Sequence, residues 1–228
     1  MVLKAKDFIE IEFTGRVKDT GEIFDSNIKE DLEKLHIGHN HPIETKPFVF
    51  ALNQGMFLKP LDDFLIGKQE TQETYEIDLT PEQAFGKRNP TFVRTVPMKV
   101  FNEQKINPIP GATLNFDGQM GKILTVSGGR VMVDFNHTLA GKALSYKIKF
   151  LRLISDLNEK IKAFNDFFFR KDFKFKVSDK KLIIEVDKPL VKFVEMFKDK
   201  YKELFNLDLE IKEVEEKPKE NQQENHKE

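Results

Sequence analysis

Residues 46–68 read KPFVFALNQGMFLKPLDDFLIGK. Phe48, Phe50 and Leu52 recur at the two-residue period of a strand, and from Met56 to Ile66 the residues Leu58, Leu61, Phe64 and Leu65 recur at helical spacing. Gly67 closes that helix. A short strand running into a short amphipathic helix is the centre of an α+β fold when further alternating strands flank it. Upstream, Phe8, Ile9, Ile11 and Phe13 are set against Glu10 and Glu12 as a half-buried strand. Asp19-Thr20-Gly21 supplies a turn, and Ile23-Phe24 begin a second strand. Residues 28–36, IKEDLEKLH, place Ile28, Leu32 and Leu35 on one face of a short helix that ends before Gly38. Downstream, Thr71 to Leu79 forms a strand with Tyr75, Ile77 and Leu79 on one side, and Pro81 stops it.

The punctuation then changes. Between Gly86 and Asn136, closely spaced Pro and Gly residues separate short runs such as ILTV (123–126) and RVMVDF (130–135), which predicts an all-β insert. Leu144 to Ile154 returns as a long alternating strand, so the first domain is expected to be discontinuous in sequence. From Ser155, Leu157, Ile161, Phe164 and Phe168 share a helix face, and strands follow at 173–177 and 182–186. Pro189 opens a second helix with a wide stripe of Leu190, Phe193, Val194, Phe197, Tyr201, Leu204 and Phe205. Leu207, Leu209 and Ile211 make a last strand. The order is α-β-β-α-β. Residues 215–228 are almost wholly polar and charged, the composition of a solvated tail.

Composition narrows the chemistry. Lys and Arg number 37 against 38 Asp and Glu, a net charge of −1. No bulk field therefore favours nucleic acid or an anionic membrane. With no cysteine there are no disulfides, thiolate nucleophiles or Cys-bound zinc, which fits a reducing interior. The opening MVLKAKDF lacks the basic-then-apolar order of a signal peptide, and no stretch approaches the roughly 18 apolar residues of a membrane span, so the expected location is the cytoplasm. The chain has 22 Phe, 3 Tyr and no Trp, and most of these rings are expected to fill cores.

No nucleophilic triad, nucleophile elbow or phosphate loop is visible, and no cofactor is implied. His36, His39 and His41 in HIGHNHP are the one metal-like cluster, read here as a solvated loop because no partner segment completes a ligand set. What remains is a reaction without a nucleophile. Rotation about an Xaa–Pro amide faces a barrier of roughly 18–20 kcal/mol from lost resonance. A site lowers that barrier by binding the twisted amide better than either planar isomer. A dry aromatic cup suits the task, because it removes water from the carbonyl. Composition alone does not separate such a cup from an ordinary core.

EFTGRVKDTGEIFDS (12–26), KPFVFALNQGMFLKPLDDFLIGK (46–68), QAFGKRNP (83–90) and NHTLAGKALSYKIKFLRL (136–153) together resemble the FKBP family of peptidyl-prolyl cis/trans isomerases. The likeness is to SlyD-like members, which carry an insert-in-flap chaperone domain between the AFG-type turn and the NHxLAG segment. It implies an FKBP-like antiparallel sheet wrapped on a short helix from 1–86 and 137–154, and a small insert domain at 87–136. A C-terminal domain at 155–214 looks like the long-type archaeal arrangement, with a tail at 215–228.

By that resemblance the isomerase pocket is walled by Phe13, Phe24, Phe48, Phe57, Leu58, Phe85 and Tyr146, with Leu61 as its floor where the family often has Trp. Asp25 would orient the prolyl amide, unless it merely caps the FDSN turn. The backbone N–H of Leu58 would donate to a substrate carbonyl. Where many members have Tyr, this chain has Phe13 and Phe85, which implies weaker binding of macrolide inhibitors. The insert is expected to grip unfolded polypeptide through Val96, Met98, Val100, Phe101, Ile123, Leu124, Val131 and Met132, at least half of which must form its own core, with Leu139 in the hinge. The stripe at 190–205 either seals its module or docks a second copy or a client. The partners implied are unfolded chains with Xaa-Pro bonds. The competing outcomes are a holdase that binds without catalysis and a metal-handling protein built on the three histidines.

Overall fold

The structure is a computed structural model that describes residues 2–35, 45–69, 71 and 73–214. Its first elements are β1 (Phe8–Val17), β2 (Ile23–Ser26), α1 (Lys29–Leu35), β3 (Phe48–Ala51), α2 (Lys59–Leu65) and β4 (Thr74–Leu79). Next come β5 (Val93–Pro97), α3 (Met98–Glu103), β6 (Thr113–Phe116), β7 (Gln119–Ser127), β8 (Arg130–Asp134) and β9 (Leu144–Leu153). The last are α4 (Leu157–Phe169), β10 (Phe175–Ser178), β11 (Lys181–Asp187), α5 (Val191–Glu195), α6 (Lys198–Phe205) and β12 (Asp208–Val214). The architecture is mixed, with mostly antiparallel strands, as α+β patterning demands. His36, His39, His41 and the segment 215–228 lie outside the described residues. Among the described residues no helix is long and apolar enough to cross a membrane.

The described residues cluster into two compact units, one drawn from Met1–Ile11, Phe48–Gln72 and Phe150–Glu228, the other from Glu12–Pro47 and Glu73–Lys149. In the first, β3 pairs antiparallel with the opening of β1, Phe8 opposite Ala51 and Ile11 opposite Phe48. Helix α4 lies against β3. Its N-terminus is capped by the Asp156 carboxylate, which accepts the Glu159 N–H at 2.8 Å, and an αL Arg170 ends it. Ile161, Phe164, Leu182, Ile184, Val186, Val194 and Tyr201 are all fully buried. β11 pairs antiparallel with β10 but parallel with β12, and a parallel pair needs a crossover, which α5 and α6 supply. The stripe at 190–205 is therefore not one helix. It is a 3-10 turn at Lys188–Leu190 followed by α5 and α6. The break at Met196–Phe197 turns Phe197 onto Phe164, Phe168 and Phe169, while Tyr201 packs on Phe164.

In the second unit the strand path is β2-β1-β9-β4. Thr14 stands opposite Ser26, and Ile77 opposite Tyr146. Residues 93–134 build a separate four-stranded sheet in the order β5-β8-β7-β6. The expected all-β insert also holds a helix, α3, started by Pro97 and braced by a Lys99–Glu103 pair at 3.7 Å. Phe101 from this helix is buried with Ile123, Val131 and Val133, and Phe116 and Phe135 pack around them.

Candidate active site

The expected site residues divide between the two units. Phe13, Phe24, Asp25, Phe85 and Tyr146 belong to one, and Phe48, Phe57, Leu58 and Leu61 to the other.

In the unit that holds Phe13, neighbouring strands set the rings. The Phe13 backbone is clamped on both sides: its N–H donates to Asn27 Oδ1 at 2.7 Å, and its carbonyl accepts from Ser26 Oγ at 2.9 Å. Thr14 Oγ1 donates to Asp31 Oδ2 at 2.5 Å, pinning α1 to β1. Burial pushes the Asp31 carboxyl up, but the Thr14 hydroxyl, Arg16 and Lys34 together hold it below the ordinary range. With Phe13 so fixed, its ring lies 6.3 Å from that of Tyr146, and Phe24 meets Tyr146 edge to face at 5.6 Å and 84°. Gly15 makes this approach possible. A Cβ there would stand 2.7 Å from Phe24 Cζ and 3.1 Å from Tyr146 Cε1.

Phe13 and Tyr146 are buried, while Phe24 keeps a partly open face. Asp25 follows Phe24 on β2, and its carboxyl accepts the Ser26 N–H in the turn that follows. Ser26 and Asn27 hold that turn as well, Ser26 Oγ accepting the Ile28 N–H at 3.0 Å. The Asp25 side chain is exposed by area, yet surrounding protein desolvates its carboxyl and raises it above the ordinary range, against the Ser26 N–H. Burial raises the Tyr146 phenol as well, and the Asp25 charge adds to that rise, so the two groups share one electrostatic neighbourhood.

Phe85 stands apart from that cluster in its contacts. Its ring stacks on His137, whose Nδ1 accepts the Leu139 N–H at 3.2 Å. In the neutral ring the remaining proton is then on Nε2. The chain leaving for the insert and the chain returning from it are tied side by side. Arg88 Nε and Nη2 donate to Asp134 Oδ2 at 2.9 and 2.7 Å. The Asn89 N–H reaches Asn136 Oδ1 at 2.8 Å, and the Gly141 N–H reaches the Gly86 carbonyl at 2.8 Å.

In the other unit Phe48 is half-buried, stacked on Phe50 at 4.9 Å and 9° and meeting Phe57 edge-on at 5.7 Å. Leu58 is the N-cap of α2, its carbonyl accepting from Leu61 at 2.9 Å. The helix starts three residues later than its apolar spacing suggests, because Pro60 suits the first turn and has no N–H to give. Leu61 is fully buried. Asp62 beside it is buried too, with Oδ1 unpartnered. Desolvation pushes its carboxyl up to about 7, although the Asn53 N–H bonds to it.

On the insert, Phe101, Ile123 and Val131 are core residues, so no client touches them while this sheet is closed. Leu139 is buried as well. Val96 and Met98 pack against that core, and Leu124 is half-buried. Val100 and Met132 are exposed, and so are Phe92, Ile109 and Met120, which periodicity did not single out. Periodicity also passed over His137 and Gly15. A glycine inside an alternating strand was the available signal for the latter, since it marks close approach.

A family model described as "FKBP26, IF domain" matches residues 94–139. A short-type peptidyl-prolyl cis-trans isomerase of Methanocaldococcus jannaschii is 27% identical over 148 residues, 65% of this chain and 92% of that protein. A SlyD of Helicobacter pylori, an FKBP-type peptidyl-prolyl cis-trans isomerase, is 29% identical over 156 residues, covering 67% and 76% respectively. An FKBP-type 16 kDa isomerase of Escherichia coli is 30% identical over 112 residues, covering 47% and 74%.

Proposed function

Because this chain belongs to the FKBP-type peptidyl-prolyl cis/trans isomerase family, we propose that it accelerates proline-limited folding at the Phe13–Phe24–Tyr146 ring cluster and holds unfolded polypeptide on its insert. The observation that carries the catalytic part is the edge-to-face closure of Phe24 on Tyr146 over Gly15, beside a desolvated Asp25. A prolyl ring entering such a cluster leaves water behind. The planar amide, whose resonance form is more polar, loses more solvation than the twisted one, and the barrier drops. Asp25 orients the amide. Phe48, Phe57, Leu58 with its N–H, Leu61 and Phe85 join the assignment on the family resemblance.

The holding function rests on apolar side chains that the insert leaves open, Val100, Met132 and half-buried Leu124 together with Phe92, Ile109 and Met120. We place isomerase, insert and C-terminal parts at the boundaries expected above. The C-terminal part leaves Phe193 and Met196 exposed, the latter by 78%, and there we place self-association, which light scattering on Met196→Glu tests. The central experiment is isomerisation of a short Xaa-Pro peptide, followed directly, for the parent and for Phe24→Ala with Asp25→Ala. The parent is expected to accelerate exchange and the double variant to lose most of that acceleration. A parent rate equal to the spontaneous one would refute the proposal.

A further inference from the structure

We propose that Phe167 of α4 is a positioning residue for Phe48, which makes the C-terminal module a working part of the isomerase rather than an appendage. The inference rests on the assignment of Phe48 to the prolyl site. Phe48 opens β3, a strand that pairs with β1 alone among the described strands. Its ring has Phe50 stacked on it and Phe57 at its edge. A further ring against it comes from more than a hundred positions along the chain: Phe167 lies 6.1 Å away at 39°.

Phe167 is itself held in place. Phe168 meets it at 4.9 Å and 81°, and the Arg170 guanidinium stands 5.9 Å from its centroid. The helix that carries it is fastened to the same strands. Arg152 of β9 bonds both Glu10 of β1 and Glu159 of α4. Lys160 stands 5.9 Å from the Phe8 ring, and Phe164 packs on Phe205, which packs on Phe8. Helix α4 therefore cannot shift without disturbing the β1–β3 edge. The Phe48 ring is thus braced by a residue of the segment 155–214, outside the stretches proposed as the isomerase part.

Peptide isomerisation by the full-length chain tests this, with kcat and KM resolved for Phe167→Ala, Phe167→Tyr, Phe48→Ala and the Phe48→Ala, Phe167→Ala double variant. Phe167→Ala should raise KM by about 3- to 10-fold with kcat within about 2-fold, and Phe167→Tyr, which keeps the ring, should restore the parent value. In the Phe48→Ala background the second substitution should cost less than about 2-fold, because the two rings act as one pair. If Phe167→Ala does not fold, Phe167→Leu replaces it with the same expectation. Unchanged KM at position 167 while Phe48→Ala is impaired, or equal losses in both backgrounds, overturns the inference and leaves the site assignment standing. A fully active Phe48→Ala overturns both.

Discussion

The Phe85 ring lies flat on the His137 imidazole, with centroids 4.3 Å apart and planes 5° from parallel. The stack joins the turn before the insert to the segment that returns from it, and as a phenylalanine the residue has no hydroxyl to offer a ligand. Phe85→Tyr adds that hydroxyl without removing the stack. Affinity for a macrolide FKBP inhibitor should rise by about 0.5–1.5 kcal/mol, roughly 2- to 10-fold, read by titration calorimetry. No change in either inhibitor affinity or kcat/KM counts against Phe85 as a site residue.

Gly15→Ala should damage the ring cluster directly. The new methyl would meet Phe24 at 2.7 Å, so either the edge-to-face pair opens or β1 shifts. Overpacking of this kind costs about 1–3 kcal/mol. A urea titration should show that loss, and kcat/KM on a short peptide should fall by about 10-fold or more under conditions where the variant is still folded. A folded variant with parental kcat/KM would remove the cluster from the mechanism.

Removing residues 90–134 and joining the ends by a short linker should leave short-peptide isomerisation within about 3-fold of the parent. If the insert holds client chain and so raises its local concentration, proline-limited refolding of a protein substrate should slow far more. The comparison of the two substrates decides the matter. Equal losses on both would show that the insert has no separate holding role.

The Asp62 carboxyl, raised from 3.8 to about 7, keeps its proton in the folded chain at pH values where the unfolded chain has lost it. Its contribution to stability is therefore greatest below about pH 4, declines as pH rises towards 7, and is flat above that. Asp62→Asn keeps an acceptor for the Asn53 N–H but has no proton to lose. It should match the parent near pH 4 and exceed it by about 1–3 kcal/mol at pH 8. A difference in urea midpoint that does not vary with pH would exclude Asp62 as the titrating group.

Much of this was readable in the residues. The strand at Phe48, the helix around Leu61 and the short helix before Gly38 all follow from the spacing of their apolar residues, of which Phe50, Leu61 and Leu65 are fully buried. The misses share a cause. Met98–Glu103 is too short for period to separate helix from strand, and the Met98-Lys99-Val100-Phe101 run suits either; in the fold Pro97 stands at the helix N-cap, where its missing N–H costs nothing. The stripe at 190–205 has unbroken helical spacing, but Phe197 is drawn onto the rings of α4, and the helix divides there. Periodicity also cannot say which of the insert's apolar candidates form the half or more that must be its own core, and Phe101, Ile123 and Val131 are among those that do. Phe167 was invisible as a partner of Phe48 because nothing local links residues so far apart in sequence.

The ties of Arg88 to Asp134, Asn89 to Asn136 and Gly86 to Gly141 bring the outgoing and returning chain to a single neck. A segment that departs and comes home at one point can be replaced wholesale, like a cassette, with both junctions already adjacent. A laboratory graft across the same neck would therefore exchange the four-stranded sheet while keeping the two chain ends that receive it side by side.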